Sequence, residues 1–216
     1  MPTAPGAAPR VVSACVGAGQ ERPAERGVGG EGRRELVRAG AFDAHGLGER
    51  PIGVLVGGDH DDPRHNLNIT VNKLEKRGVL HCEIQPEDWP YPLICLCAHL
   101  NLRETDRAKQ YTALFEYITT YVDPHSPLIL AGDFNDWRHK SCVSLGRLPG
   151  MKEVFIERHG KRPKTFPARM PMLSLDRIYT RNLTTLEATL HDEEPWLYLS
   201  DHLPLSATVV PTMPFK

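Results

Sequence analysis

An α/β layered fold is predicted by three observations. Between residues 91 and 132 the chain reads strand, helix, strand; further strand-like runs follow; and polar groups collect where the apolar runs stop. The 216 residues suffice for one domain with a sizeable core. A composition of 40% hydrophobic and 25% charged residues is that of an ordinary globular chain. The net charge of -1 excludes a global attraction to nucleic acid, so any pull on phosphate must be local. No apolar run of about 18 residues occurs, so no membrane-spanning helix is expected. The first residues lack the apolar core of a secretory signal, and a cytoplasmic monomer is expected. Of the five cysteines, Cys95 and Cys97 alternate within one apolar run, which aims both at the same face as small core residues of a reducing compartment.

Taken in order, residues 1–62 form a low-complexity segment rich in Gly, Ala and Arg. Thirteen of the 18 glycines lie in residues 1–60, and Phe42 is the one aromatic residue before Trp89. Such a stretch buries too little area to offset its ordering entropy, so it is expected to be mostly irregular. Within it, "RELVRAGAF" suits a helical turn or two and "PIGVLVGG" a short strand. The composition is also that of a shifted or mis-started reading frame, or of a gene fragment, ahead of Asn66. Residues 63–212 read differently. "GVLHCEI" (78–84) and "YPLICLCAHL" (91–100) are strand-like. Leu102, Tyr111, Leu114, Phe115, Ile118 and Val122 recur at helical spacing, and Asn101 with Glu104 suggests a capping box. "LILAG" (128–132) is a buried strand, and "LDRIYT", "TLEATLH" and "LSATVV" are three more.

The polar clusters sit where strands should end: His99 after "LICLCA", Asp133 and Asn135 after "LILAG", Asp176 in "LDRIY", Asp201 and His202 before the last strand. Rigid strands commonly present working side chains in this way. Plainer explanations exist for each taken singly: a surface histidine, an Asp/Asn/Gly turn, an ion pair of Asp176 with Arg177, an idle loop pair. Their joint occurrence in this order is what argues for chemistry.

The segments "AHLNLRETDRAKQ", "LAGDFND", "LDRIY" and "SDHLPLSA" together resemble the endonuclease/exonuclease/phosphatase superfamily of metal-dependent phosphoesterases, in a small bacterial branch. The resemblance implies a DNase I-like sandwich of two mixed β-sheets flanked by helices, here expected to be incomplete on the N-terminal side. It also implies in-line attack of an activated water on a phosphoester. Asp133 would orient or deprotonate that water, Asn135 would hold a phosphate oxygen, and His99 would donate to the phosphoryl group. His202 would contact phosphate and relay a proton, with Asp176 fixing its tautomer. Asp201 would face Mg²⁺ or Mn²⁺, which suit oxygen donors. Arg107 and Gln110 would tie the helix to the site's edge. Strand alternation is expected to put Asp133 and Asn135 on one side, with Phe134 in the core.

The family's upstream Asn strand and Gln-Glu strand are not evident; the sole Gln-Glu pair is Gln20-Glu21. A nucleic-acid substrate would be met by Lys73, Lys76, Arg77, Arg138, His139, Lys140, Lys161, Arg162 or Lys164, each of which also reads as ordinary charged surface. Met170, Met172 and Leu173 suit either a substrate cleft or a packed loop. Trp137 and Trp196 suit base stacking or rim packing. Inositol or lipid phosphate substrates, and a catalytically impaired remnant, are the alternatives to a nuclease.

Overall fold

The strand that carries the Asp133 motif, β7 (Leu128–Asp133), is buried along its whole length. It runs between β6 (Leu93–His99), which is parallel to it, and β9 (Asp176–Arg181), which is antiparallel. Its five apolar or small residues in a row, ahead of Asp133, need cover on both faces of the sheet, and both are covered. The structure, a computed structural model, describes the backbone of 12–18, 36–41, 52–57 and 64–66, and all of 67–212 except 74, 87, 88 and 141–143.

The larger sheet has six strands in the order β4-β5-β6-β7-β9-β8, with β4 (Arg64–Asn68), β5 (Gly78–Ile84) and the short β8 (Lys152–Glu153). On one face Ile94, Leu96, Ala98, Leu128 and Leu130 pack against Tyr111, Leu114 and Ile118 of α1 (Glu104–Tyr121), the crossover between β6 and β7. The alternate residues Cys95, Cys97, Ile129, Ala131 and Ile178 face the second sheet, meeting Leu183, Leu205, Ala207 and Val209. Cys82, Cys95 and Cys97 are thus buried thiols of the inter-sheet core, outside any disulfide. Each fully buried Leu or Ile contributes roughly 1.5–3 kcal/mol, which makes these two layers the bulk of the stabilisation. A short helix, α2 (Val154–His159), adds Val154 and Phe155 to the inter-sheet core and ends at Gly160 in the left-handed region.

The second sheet has five strands, ordered β10-β11-β1-β3-β2, with β10 (Leu183–Leu190) and β11 (Leu205–Pro211) joined through a loop that carries the one-turn helix α3 (Trp196–Leu199). Its other three strands, β1 (Val12–Ala18), β2 (Leu36–Ala41) and β3 (Ile52–Gly57), arise in the segment read from sequence as mostly irregular. The second sheet therefore draws three of its five strands from the N-terminal side. The helical turn expected in "RELVRAGAF" is instead β2, paired along its length with β3. Strand pairing overrides a weak local propensity here, as it does wherever a partner edge is available.

A second correction concerns the start of α1. The residue preceding it is Arg103, with no side-chain cap. Asn101 is fully buried and engaged elsewhere, accepting from Gln110 Nε2 at 3.0 Å while its backbone N–H donates to Gln110 Oε1 at 2.9 Å. Glu104 turns outward to Arg138 and Lys140.

Candidate active site

Strand register builds the site. In the parallel β6/β7 pair His99 lies opposite Asp133, and in the antiparallel β7/β9 pair Asp133 lies opposite Asp176. Three residues distant in sequence therefore form one row across the end of the larger sheet. The loop leading into β11 of the second sheet then adds His202. Its Nδ1 lies 2.8 Å from Asp176 Oδ2, and its Nε2 lies 3.9 Å from Asp133 Oδ2. His99 Nε2 lies 3.6 Å from the same Asp133 oxygen. Asp133 Oδ2 is thus flanked by two imidazoles.

Asn135 reaches this cluster by a different route from the expected alternation. The strand ends at Asp133, and Asn135 adopts φ 48°, the left-handed conformation that Asn tolerates. Its backbone N–H donates to Asp133 Oδ1 at 2.8 Å, and its Nδ2 donates to Leu100 O at 2.9 Å. Phe134 is fully buried, as the alternation requires. Arg107 and Gln110 sit behind the row. Arg107 Nη1 donates to the carbonyls of Asn101 and Leu102, and Gln110 Nε2 also donates to Ile69 O. Asp201 lies on the exposed loop beside His202, close enough for its charge to act on that ring.

Three supports were not singled out from sequence. Asp136 is fully buried and folds residues 136–140 into a tight turn by accepting from Lys140 N–H, while its carbonyl takes Arg177 Nη2. That turn holds Trp137 over the Arg107 guanidinium, 4.7 Å from ring centroid to Cζ. Thr165, fully buried, accepts from the N–H of Leu175 just ahead of β9. Phe166 stands 4.9 Å from the His202 ring, centroid to centroid. The second Asp in "GDFND" was a usable signal for the first; nothing local marks the other two. Met170 and Met172 are 64% and 55% exposed, so they form no packed loop interior.

Electrostatics follow from crowding. Burial and the neighbouring Asp176 push the Asp133 carboxyl up, partly offset by His202. Burial, then Arg77 and His202, hold His99 down at about 3, so it is a neutral ring. For His202 burial alone would lower the value. The hydrogen bond and charge of Asp176, then Asp133 and Asp201, outweigh it and raise the ring to about 9. A raised histidine stabilises the fold fully below its ordinary 6.5, and that contribution is lost as pH rises through about 9. The unfolding free energy of wild type relative to His202→Gln is therefore expected to shrink by roughly 2 kcal/mol between pH 6 and pH 10 in urea titrations. A gap that widens over that range would contradict the assignment of the imidazolium.

Three carboxylates, Asp133, Asp176 and Asp201, act on one imidazolium, and Arg77 adds a further positive charge acting on Asp133. This anionic excess, presented by oxygen donors, suits a hard dication. Among the described residues no three His, Cys, Asp or Glu groups converge on a point as metal ligands. Mg²⁺ commonly keeps several waters and uses one or two carboxylates, so the donor set fits that ion. Gln20 and Glu21 lie outside the described residues. No described helix is long and apolar enough to cross a membrane.

Comparison with known proteins gives the family and the fold. The model of the Endonuclease/Exonuclease/phosphatase family matches residues 38–202. YbhP of Escherichia coli K12 is 41% identical over 144 residues, covering 67% of this chain and 56% of that protein. The chain thus spans little more than half the length of its curated relative. Among solved structures, D. rerio TDP2 complexed with single-strand DNA product superposes with TM-score 0.63 at 18% identity, covering 81% of this chain and 76% of that one. A Bacteroides thetaiotaomicron mannosyl-6-phosphatase gives TM-score 0.62 at 15% identity, over 82% of this chain and 76% of that one. At these identities the likeness is one of fold.

Proposed function

Because the chain belongs to the Endonuclease/Exonuclease/phosphatase family, we propose that its site is that of a divalent-metal-dependent phosphodiesterase acting on nucleic acid. The observation that carries this reading is the row His99, Asp133, Asp176 closed by His202. Asp133 holds a carboxylate oxygen between two rings, placed to orient a water and accept its proton. Asp176 fixes the orientation of the His202 ring and supports its charge, leaving Nε2 directed at the reacting group as a charged donor. Neutral His99 donates a hydrogen bond to a phosphoryl oxygen, and the Asn135 amide takes another. Asp133 and Asp201, with waters, would hold Mg²⁺ or Mn²⁺. The bound ion supplies neutralisation of developing negative charge on the phosphate. Arg138 and Lys140, on the turn after Asn135, add positive charge beside the site for a polyanionic strand.

Purified chain is expected to hydrolyse bis(p-nitrophenyl) phosphate with Mg²⁺ or Mn²⁺ and to fall silent with EDTA, read by p-nitrophenolate release. Binding of inorganic phosphate without turnover at any metal concentration would favour a non-catalytic remnant. A lipid phosphodiester is the second reading, favoured by the exposed Met170 and Met172 near the site. A panel of plasmid DNA, single strands, inositol phosphates and sphingomyelin separates the classes.

A further inference from the structure

Next to the Asp201–His202 pair lies an open pocket of about 330 Å³, walled by Pro167, Ala168, Arg169, Tyr198, Leu199, Ser200 and Asp201. None of its apolar walls takes part in the hydrolysis assigned above. Two backbone hydrogen bonds fasten its two sides together: Ala168 N–H to Asp201 O and Leu203 N–H to Thr165 O, both 2.8 Å. The pocket is therefore preformed on the same loop that presents His202. The Arg169 guanidinium lies over the Tyr198 ring at 5.0 Å, and Tyr198 remains 59% exposed. Leu199, 45% exposed, continues the apolar rim. An exposed aromatic face beside a cation, adjoining a phosphate-handling centre, is the usual equipment for stacking a base.

We propose that this pocket is a nucleobase subsite, in which Tyr198 and Arg169 stack the base of the nucleotide adjoining the scissile phosphate. It rests on the phosphodiesterase reading and narrows it, making the base, read by its flat face, a determinant of substrate choice. Stacking is indifferent to base identity, so the subsite selects nucleotides over other phosphoesters without imposing a sequence.

The test compares two probes that differ only in the base, thymidine 5′-monophosphate and 2-deoxyribose 5-phosphate, by calorimetry on the full chain in Mg²⁺ buffer. The nucleotide is expected to bind about tenfold more tightly, the scale of one stacked base. Tyr198→Ala should bring the ratio of affinities toward one, and Tyr198→Phe should keep it, with unchanged circular dichroism showing that both variants fold. Equal affinities in wild type, or a ratio that survives Tyr198→Ala, overturn the subsite even where bis(p-nitrophenyl) phosphate is still hydrolysed. Absence of both binding and hydrolysis overturns the subsite together with the phosphodiesterase reading.

Discussion

Asp133→Asn is expected to lower kcat for phosphodiester hydrolysis by about 10²–10⁴, the range for loss of a positioned acid–base group. The same substitution should raise the stability of the metal-free protein. Asp133 is 5% exposed, and burial plus Asp176 make its ionised form costly. An amide of the same shape keeps the acceptor for the Asn135 N–H and removes the charge. A gain of roughly 1–3 kcal/mol at pH 8 is the scale expected when a poorly compensated buried charge is removed. His202→Ala should match the loss of turnover without the gain, since it leaves Asp176 buried and unpaired. Steady-state kinetics and urea melts of the two variants read both halves. Activity that survives both substitutions would remove these residues from the chemistry.

Gly132→Ala is the substitution with the largest expected cost to folding. Gly132 has φ +145°, and a Cβ placed on it would lie 1.8 Å from the Ala98 carbonyl oxygen. Ala98 is its register partner on the parallel neighbour, so relief requires parting β6 from β7 in the middle of the larger sheet. A loss above about 4 kcal/mol is expected, enough to leave the protein unfolded or insoluble at 25 °C. Gly160→Ala is the contrast: φ is +68° but nothing lies within 4 Å of the added methyl. Its cost should stay near 1 kcal/mol, the strain of the backbone alone. Comparable melting temperatures for the two variants would refute the steric account.

The strands β5, β6, β7, β9 and β11 were legible because each is an apolar run bounded by turn residues, and α1 because its buried positions recur at helical spacing. The β1 and β2 strands were not, since short glycine-rich runs become strands only through the partners they meet. Within the site, Asp133, Asp176 and His202 announce themselves as polar groups at strand ends. Their contact is invisible to any local window, because it depends on register across three strands and on a loop from the second sheet. Asn135 shows the limit most plainly. Alternation rightly buries Phe134 but does not describe Asn135, because the chain leaves the strand two positions earlier than the pattern implies. Arg177, adjacent to Asp176 in sequence, gives it no side-chain charge pairing and donates instead to the carbonyls of Asp176 and Asp136.

The placement of β1 between β11 and β3 has a kinetic consequence. Val12 sits opposite Val209, so the strand that follows the His202 loop is zipped to one far earlier in the chain. The row His99, Asp133, Asp176 can form from the middle of the chain alone, with the short crossover α1 closing its parallel pair. His202 joins that row through the β10–β11 pairing, whereas the second sheet closes on β1 by a contact of high contact order and hence a slow one. A partly folded chain would then carry the polar cluster before the second sheet is complete. Completion of the second sheet, and not assembly of the candidate site, would then be the final event of folding.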